Sequence, residues 1–333
     1  MSAASPALDA RPRSADVLVA WGRRNAWVVG LLGFLVLLLA FTRFIQPNYG
    51  VAGVQGLGIS VLPLALAAVA QAIVVISGGI DLSIASMMAL TSVVAAVLME
   101  GQSEAASVVI VLGVLVFGML LGAINGWLVV VTRVPDIVVT LAMSFVWAGI
   151  ALLILRTPGG ASAVWLKDLA SGSFLNEWIP KAAVVLIVLV AVIWIPLRRS
   201  RLGLSIYAIG SNRLAAFRSG VAVNRTRIAA YSLTGLFCAL GGLSLTASTG
   251  IASPVPGPYT LLSVAAIVLG GVSLAGGRGG VFGPIIAVVI LQLIRTDMTF
   301  LNINTNLAVV VQGLILIGVV MIGSLIQIRR SNA

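Results

Sequence analysis

The chain has 333 residues, of which 60% are hydrophobic and only 9% charged, with a mean hydropathy of +1.16. A soluble domain carries about 25% charged residues, so a water-covered globule of this length is excluded and the apolar residues must face lipid. Histidine is absent and Cys238 is the sole cysteine, which excludes an intrachain disulfide and removes the commonest metal ligand and general base. The net charge of +11 does not indicate nucleic acid, because the cations sit in short loops and tails with no interleaved aromatics.

A helix of about 20 apolar residues crosses the hydrocarbon core. Ten such runs are predicted, at 26–45, 54–77, 82–99, 105–131, 137–155, 182–197, 228–248, 261–274, 281–294 and 307–326. The fold class expected is therefore all-α, a polytopic membrane protein. Residues 1–25 form an N-terminal tail, 26–326 the membrane domain and 327–333 a C-terminal tail. The first run follows Arg23-Arg24 and has no small-x-small cleavage site before Thr42-Arg43, so an uncleaved span is favoured over a signal peptide. With the N-terminus inside, the inner segments hold Arg11, Arg13, Arg23, Arg24, Arg133, Arg198, Arg199, Arg201, Arg213, Arg218, Arg225, Arg227, Arg278, Arg329 and Arg330. The outer segments hold Arg43, Arg156, Lys167, Lys181 and Arg295. Fifteen cations against five is the sense of the positive-inside rule and puts both termini in the cytoplasm.

Three stretches depart from an ordinary span. In Ser77-Gly78-Gly79-Ile80-Asp81-Leu82-Ser83 the glycine pair frees backbone groups that cannot face lipid unsatisfied. Asp81 there either caps the helix beginning at Leu82 or serves a polar pathway, since a carboxylate at membrane depth faces the bundle interior. The two roles are compatible.

The second stretch, 269–280, repeats the glycine pattern: at an offset of 192, Gly78, Gly79 and Leu82 match Gly270, Gly271 and Leu274. Paired breaks in two halves point to a transport site between repeats. Its Arg278 either snorkels at a span end or meets a cytoplasmic partner. Gly276-Gly277-Arg278-Gly279-Gly280 is not a phosphate loop, because such a loop ends in Gly-Lys-Ser/Thr and neither Lys167 nor Lys181 follows a glycine.

The third stretch, 198–227, is the longest inward loop and contains seven arginines. Within it Ala215 and Ala216 favour a short helix that Asn212 can cap and Gly220 can end. Such a helix has no core of its own to enter, so its apolar side needs lipid or a partner. Equally, the segment reads as a basic loop held at an anionic membrane surface.

In order along the chain, these segments resemble the permeases of bacterial monosaccharide ABC importers, the ribose/xylose/arabinose type. The residues that carry the resemblance are Gly78-Gly79-Ile80-Asp81-Leu82-Ser83 and Asn125-Gly126 before Val134-Pro135. Further on come Ile206-Tyr207-Ala208-Ile209-Gly210 with Ala215-Ala216 and Ser219-Gly220, then Gly270-Gly271-Val272-Ser273-Leu274-Ala275-Gly276-Gly277-Arg278-Gly279. The likeness extends from about residue 50 to residue 325. It implies a dimer of permeases on two ATP-hydrolysing subunits, fed by a periplasmic binding protein, with ATP used only by the partners and no cofactor in this chain. It also implies that Asn212, Arg213, Leu214, Ala215, Ala216, Arg218 and Gly220 form a cytoplasmic coupling helix that enters the ATPase. Importers of the wider superfamily often carry a glutamate just before the paired alanines; here that position is Leu214.

Under this reading the path through the dimer is expected to run past Gln71, Gly78, Gly79, Asp81, Ser83, Asn125 and Gln312, though Ser, Asn and Gln serve equally as glue between helices. An ion-coupled secondary transporter is the competing class. It is poorly served, because of Asp9, Asp16, Asp81, Glu100, Glu104, Asp136, Asp168, Glu177 and Asp297 only Asp81 reads as internal. An intramembrane enzyme lacks a paired acid and base.

Overall fold

The computed structural model of the protein describes residues 26–303 and, beyond them, Leu307, Val310, Gly313, Leu314, Ile317, Gly318 and Met321. The two expected tails, Gln312 and most of the tenth run fall outside the described residues.

Each apolar run from 26 to 294 becomes a helix, with ends set by local chemistry. α1 (Ala26–Ile45), α2 (Val51–Ile76) and α3 (Ile84–Met99) are followed by α4 (Glu104–Thr132) and α5 (Asp136–Ile154). Ser103 starts α4 by accepting the amide of Ala106 at 3.2 Å, and Arg133 ends it in a left-handed conformation (φ 58°). Val134-Pro135 then cannot continue the helix, because a residue before proline is forced to be extended.

After α6 (Val164–Ala170), a small antiparallel hairpin of β1 (Ser173–Phe174) and β2 (Asn176–Pro180) leads into α7 (Lys181–Arg199). This hairpin is the one departure, among the described residues, from the all-helical expectation. α7 contains a π turn at Val190–Trp194, just before Pro196. Proline has no amide proton, so the regular ladder is interrupted there. The chain continues through α8 (Arg201–Ser211), α9 (Arg213–Arg218), α10 (Val223–Thr249), α11 (Tyr259–Leu269) and α12 (Phe282–Phe300).

Seven of the described helices, α1, α2, α4, α5, α7, α10 and α12, are long and apolar enough to cross a membrane, while α3 and α11 are shorter apolar helices. Their burial sorts them into two layers. α2 is buried continuously from Val61 to Ile76, α3 almost throughout, and α10 packs against α2, α3 and α4. Around this centre α1, α5 and α7 leave large apolar side chains bare, among them Phe44 at 83%, Phe145 at 72% and Leu153 at 83% exposure. Only lipid or another membrane chain can cover such a surface.

Small residues let the central helices approach closely. Gly118, Gly122 and Gly126 recur every fourth residue of α4 and face Tyr231 and Gly235 of α10. A methyl group on Gly122 would overlap the Tyr231 carbonyl oxygen. Cys238 lies one turn beyond Gly235, fully buried.

The two ends of the bundle differ in charge. One end carries the α4–α5 turn, the segment 198–227 and the loop 270–281, and with them Arg133, Arg198, Arg199, Arg201, Arg213, Arg218, Arg225, Arg227 and Arg278. The other carries the hairpin and α6, tied down where the Glu104 carboxylate accepts the amides of Val164 (3.1 Å) and Trp165 (3.4 Å).

Candidate translocation path and docking helix

The first glycine break closes α2 through its backbone. Gly78, at φ +85°, donates to the Val75 carbonyl at 2.9 Å, and Gly79 donates to Val74 at 3.0 Å. This is the αL closure that glycine favours. The chain then turns inward rather than toward lipid. Asp81 is 0% exposed, and its Oδ1 accepts both the amide of Ser83 (2.8 Å) and the Ser83 hydroxyl (2.6 Å). Ser83, not Asp81, stands at the N-cap position of α3, its side chain making no capping bond to the helix, and Asp81, two residues earlier, orients it through an Asx turn.

From Ser83 the hydrogen bonds run on across the bundle. Asn125 of α4 donates to the Ser83 hydroxyl at 2.7 Å, and Trp147 of α5 donates to Asn125 Oδ1 at 3.2 Å. Thr140 accepts the amide of Leu82 at 3.0 Å, and Thr260 of α11 accepts that of Ala85 at 3.0 Å. Backbone groups freed by the break are thereby satisfied inside protein. The structure thus brings Asp81, Ser83 and Asn125 into one cluster beside Gly78 and Gly79. Gln71 lies apart on α2, 0% exposed and without a hydrogen-bond partner among the described residues. In the chain alone Gln71, Asp81, Ser83 and Asn125 are all shut off from water.

Two acidic residues escape the sequence reading. Asp297, which that reading placed among the ends and loops, is 4% exposed and faces a groove between α1 and α12, so Asp81 is not the single buried carboxylate. Asp136, at the first turn of α5, pairs with Arg227 of α10, whose Nη2 reaches the two carboxylate oxygens at 2.6 and 2.5 Å. Tyr231 donates to the same carboxylate at 2.8 Å. A Cβ on Gly79 would stand 2.5 Å from Asp136 Oδ2, so this cluster leans directly on the first break. The partners are 91 residues apart, and only two lone charges of opposite sign near helix starts hinted at the pairing.

The arginine end carries the docking candidate. Asn212 caps α9 by accepting the amide of Ala215 at 2.9 Å, and Gly220 (φ +83°) ends it, with Val221 donating back to Ala216 at 3.0 Å. The expectation that this helix has no core is corrected: Ala216 is 5% exposed and packs with Ile209 of α8 and Val223 of α10. Those neighbours flank the segment in sequence and fold back over it. The outer side is bare, with Leu214 at 58% and Phe217 at 66% exposure and Asn212, Arg213, Ala215, Arg218 and Gly220 also exposed.

α8 connects α9 to both breaks. Gly210 sits against Ile76 and Gly277, and the Gly277 amide donates to the Ile76 carbonyl at 2.9 Å. Tyr207 donates to the Gly279 carbonyl at 2.8 Å. Burial raises the Tyr207 phenol above its usual value, against the opposing charge of Arg198. Arg278 itself is exposed.

The family described as branched-chain amino acid transport system / permease component matches residues 54–320, and so covers the breaks, the cluster and α9. The chain belongs to this permease family. The ribose import permease protein of Escherichia coli is 30% identical to it over 316 residues, 90% of this permease and 96% of the relative. That of Bacillus subtilis is 34% identical over 257 residues, 76% and 78% of the two chains. The autoinducer 2 import system permease protein of Escherichia coli is 28% identical over 325 residues, 93% and 95%. No solved structure matches the permease. These relatives are transport permeases, not enzymes, and the permease is likewise a multi-pass membrane protein.

Proposed function

We propose that the permease is the membrane subunit of an ATP-driven importer that carries a monosaccharide or similar small polyol, delivered by a periplasmic binding protein. One observation carries this reading. α9 is pinned by Ala216 yet presents Leu214 and Phe217 bare at the arginine end, the form of a helix made to fill another protein's groove. The relatives' import roles support it and favour a sugar-like solute over an amino acid, although the family description names branched-chain amino acids.

In this reading two permease chains pair in the bacterial inner membrane with both termini and the arginine end in the cytoplasm. ATPase subunits grip Asn212, Arg213, Leu214, Ala215, Arg218 and Gly220. ATP-driven closure moves α9 and, through α8 and Gly210, both glycine breaks, giving alternating access along Gln71, Gly78, Gly79, Asp81, Ser83, Asn125 and Gln312.

In proteoliposomes, ATP-dependent sugar uptake is expected to require the ATPase and the binding protein. Uptake driven by an ion gradient alone would establish the secondary-transporter class instead. Phe217→Asp, on the bare side of α9, is expected to weaken ATPase association about thirtyfold or more while membrane insertion is kept; unchanged association sinks the docking helix. Asp81→Asn keeps the oxygen that Ser83 uses but removes the charge, and is expected to lower transport with the fold intact. Full transport would reduce Asp81 to a turn residue.

A further inference from the structure

α7 ends in a site that neither the translocation path nor the docking helix uses. A cavity of about 410 Å³ opens between α7 and the start of α12, lined by Trp194, Ile195, Arg198, Arg199 and Phe282. Trp194 is 3% exposed, yet its indole N–H has no acceptor among the described residues. A buried indole N–H normally finds a partner, and leaving one unmet is costly. The π turn at Val190–Trp194 sets the angle at which this ring leaves the helix, and such turns gather at functional sites.

The charge around the cavity is all of one sign. The ion pairs among the described residues are Lys181–Asp168 and Arg227–Asp136, so neither Arg198 nor Arg199 meets a carboxylate there. Both are exposed. α12, which is 19 residues long, begins at Phe282 with no acidic side chain in its first turn, so its positive dipole end adds to the same field. Two exposed guanidinium groups and a helix N-terminus at the cavity, with an unmet indole N–H in the wall behind them, select an anion with several acceptor oxygens, which is phosphate chemistry.

The walls identify the source of that phosphate. Phe282 is 54% and Ile195 38% exposed, and above Ile195 on α7 stand Val192 (67%) and Val188 (52%), one bare apolar stripe leading out of the cavity. A free phosphate has no use for the stripe, whereas a phospholipid lays an acyl chain along it while its head enters between the arginines.

We infer that the cavity between Arg198, Arg199 and Trp194 holds the head group of an anionic phospholipid, anchoring the end of α7 from which the docking segment departs. The inference needs only membrane insertion and is independent of the solute carried.

The full-length permease, purified in detergent without its ATPase, is to be melted with added phosphatidylglycerol, phosphatidylcholine or inorganic phosphate, and its bound lipids counted by native mass spectrometry. Phosphatidylglycerol is expected to raise the melting temperature by several degrees, with the other two giving no comparable rise. R198Q/R199Q is expected to lose that rise and to lower phosphatidylglycerol affinity about fivefold per arginine. Trp194→Phe, which keeps the ring and loses the N–H, is expected to weaken binding without lowering the unliganded melting point. It carries the test if the double variant fails to fold. Equal stabilisation of wild type and variants overturns the site, as does equal stabilisation by phosphatidylcholine. Stabilisation by inorganic phosphate alone overturns the lipid assignment. Failure of ATP-driven uptake in separate transport assays leaves this result unaffected.

Discussion

The permease breaks two of its helices in the same way and uses the breaks differently. α2 ends at Ser77 (φ −76°, ψ −2°) followed by Gly78 at φ +85°, and α11 ends at Gly270 (φ −74°, ψ 0°) followed by Gly271 at φ +81°. The residues before the next helices match too, Ser83 at φ −95°, ψ 0° and Val281 at φ −97°, ψ −18°. The hydrogen bonds that close the two helices correspond at an offset of 193, one more than glycine matching gave. Beyond the turn they part. Both breaks meet Gly210 of α8 at the arginine end, but residues 79–83 then run inward to a buried carboxylate, whereas 270–281 stays partly exposed, its Arg278 bare. One backbone device thus seats α8 twice, and only its first copy goes on to carry polar groups into the bundle interior.

Five substitutions sharpen or break this contrast. The largest effect is expected at the first break alone. Arg227→Ala strands the Asp136 carboxylate beside Gly79 and should cost about 4 kcal/mol, seen as a melting point lower by on the order of 10 °C. A loss no greater than that of an exposed arginine would mean the first break does not lean on this pair. Gly210→Ala strikes both breaks at once, because a methyl there overlaps the Ile76 carbonyl oxygen and crowds the Gly277 amide. About 3 kcal/mol is expected, with transport lost even where the protein survives purification. Next, Gly271→Ala should cost about 2 kcal/mol and Gly78→Ala about 1 kcal/mol. Both occupy the left-handed region, but only the methyl at Gly271 also collides with a side chain, Trp27 Cδ1 at 2.8 Å. Equal melting points for the pair would show that backbone strain alone sets the cost. Smallest is Asn212→Ala, which removes the cap of α9 and touches neither break. About 1 kcal/mol of local helix stability is expected, read as faster amide exchange confined to α9.

How much of this is legible without coordinates follows from the range of each interaction. Spans, caps and breaks are set within a few residues, so the apolar runs, Asn212 and Gly220 announce themselves. The glycine repeat was visible, but matching residue identity mispaired it by one, because Ser77 and Gly270 share a conformation rather than a side chain. Gly118, Gly122 and Gly126 carry a small-residue period that marks the α4–α10 contact. The mini-core under α9 needs knowledge of how Ile209 and Val223 fold back, and the Asp136–Arg227 pair needs the arrangement of whole helices. Asp297 was misplaced for a simpler reason: hydropathy puts it near a span end, and burial there depends on α1 lying alongside.

The thiol of Cys238, fully buried in the folded permease, leaves it ready for site-directed labelling as it stands. Any cysteine introduced at a bare position such as Leu214 or Leu153 would be the sole reactive sulfur in the native chain, so fluorophores, spin probes and cross-linkers need no cysteine-free background. Heating reverses the situation. Maleimide capture at residue 238 then reports when the centre of α10 opens, giving local access and global unfolding two separable chemical signals.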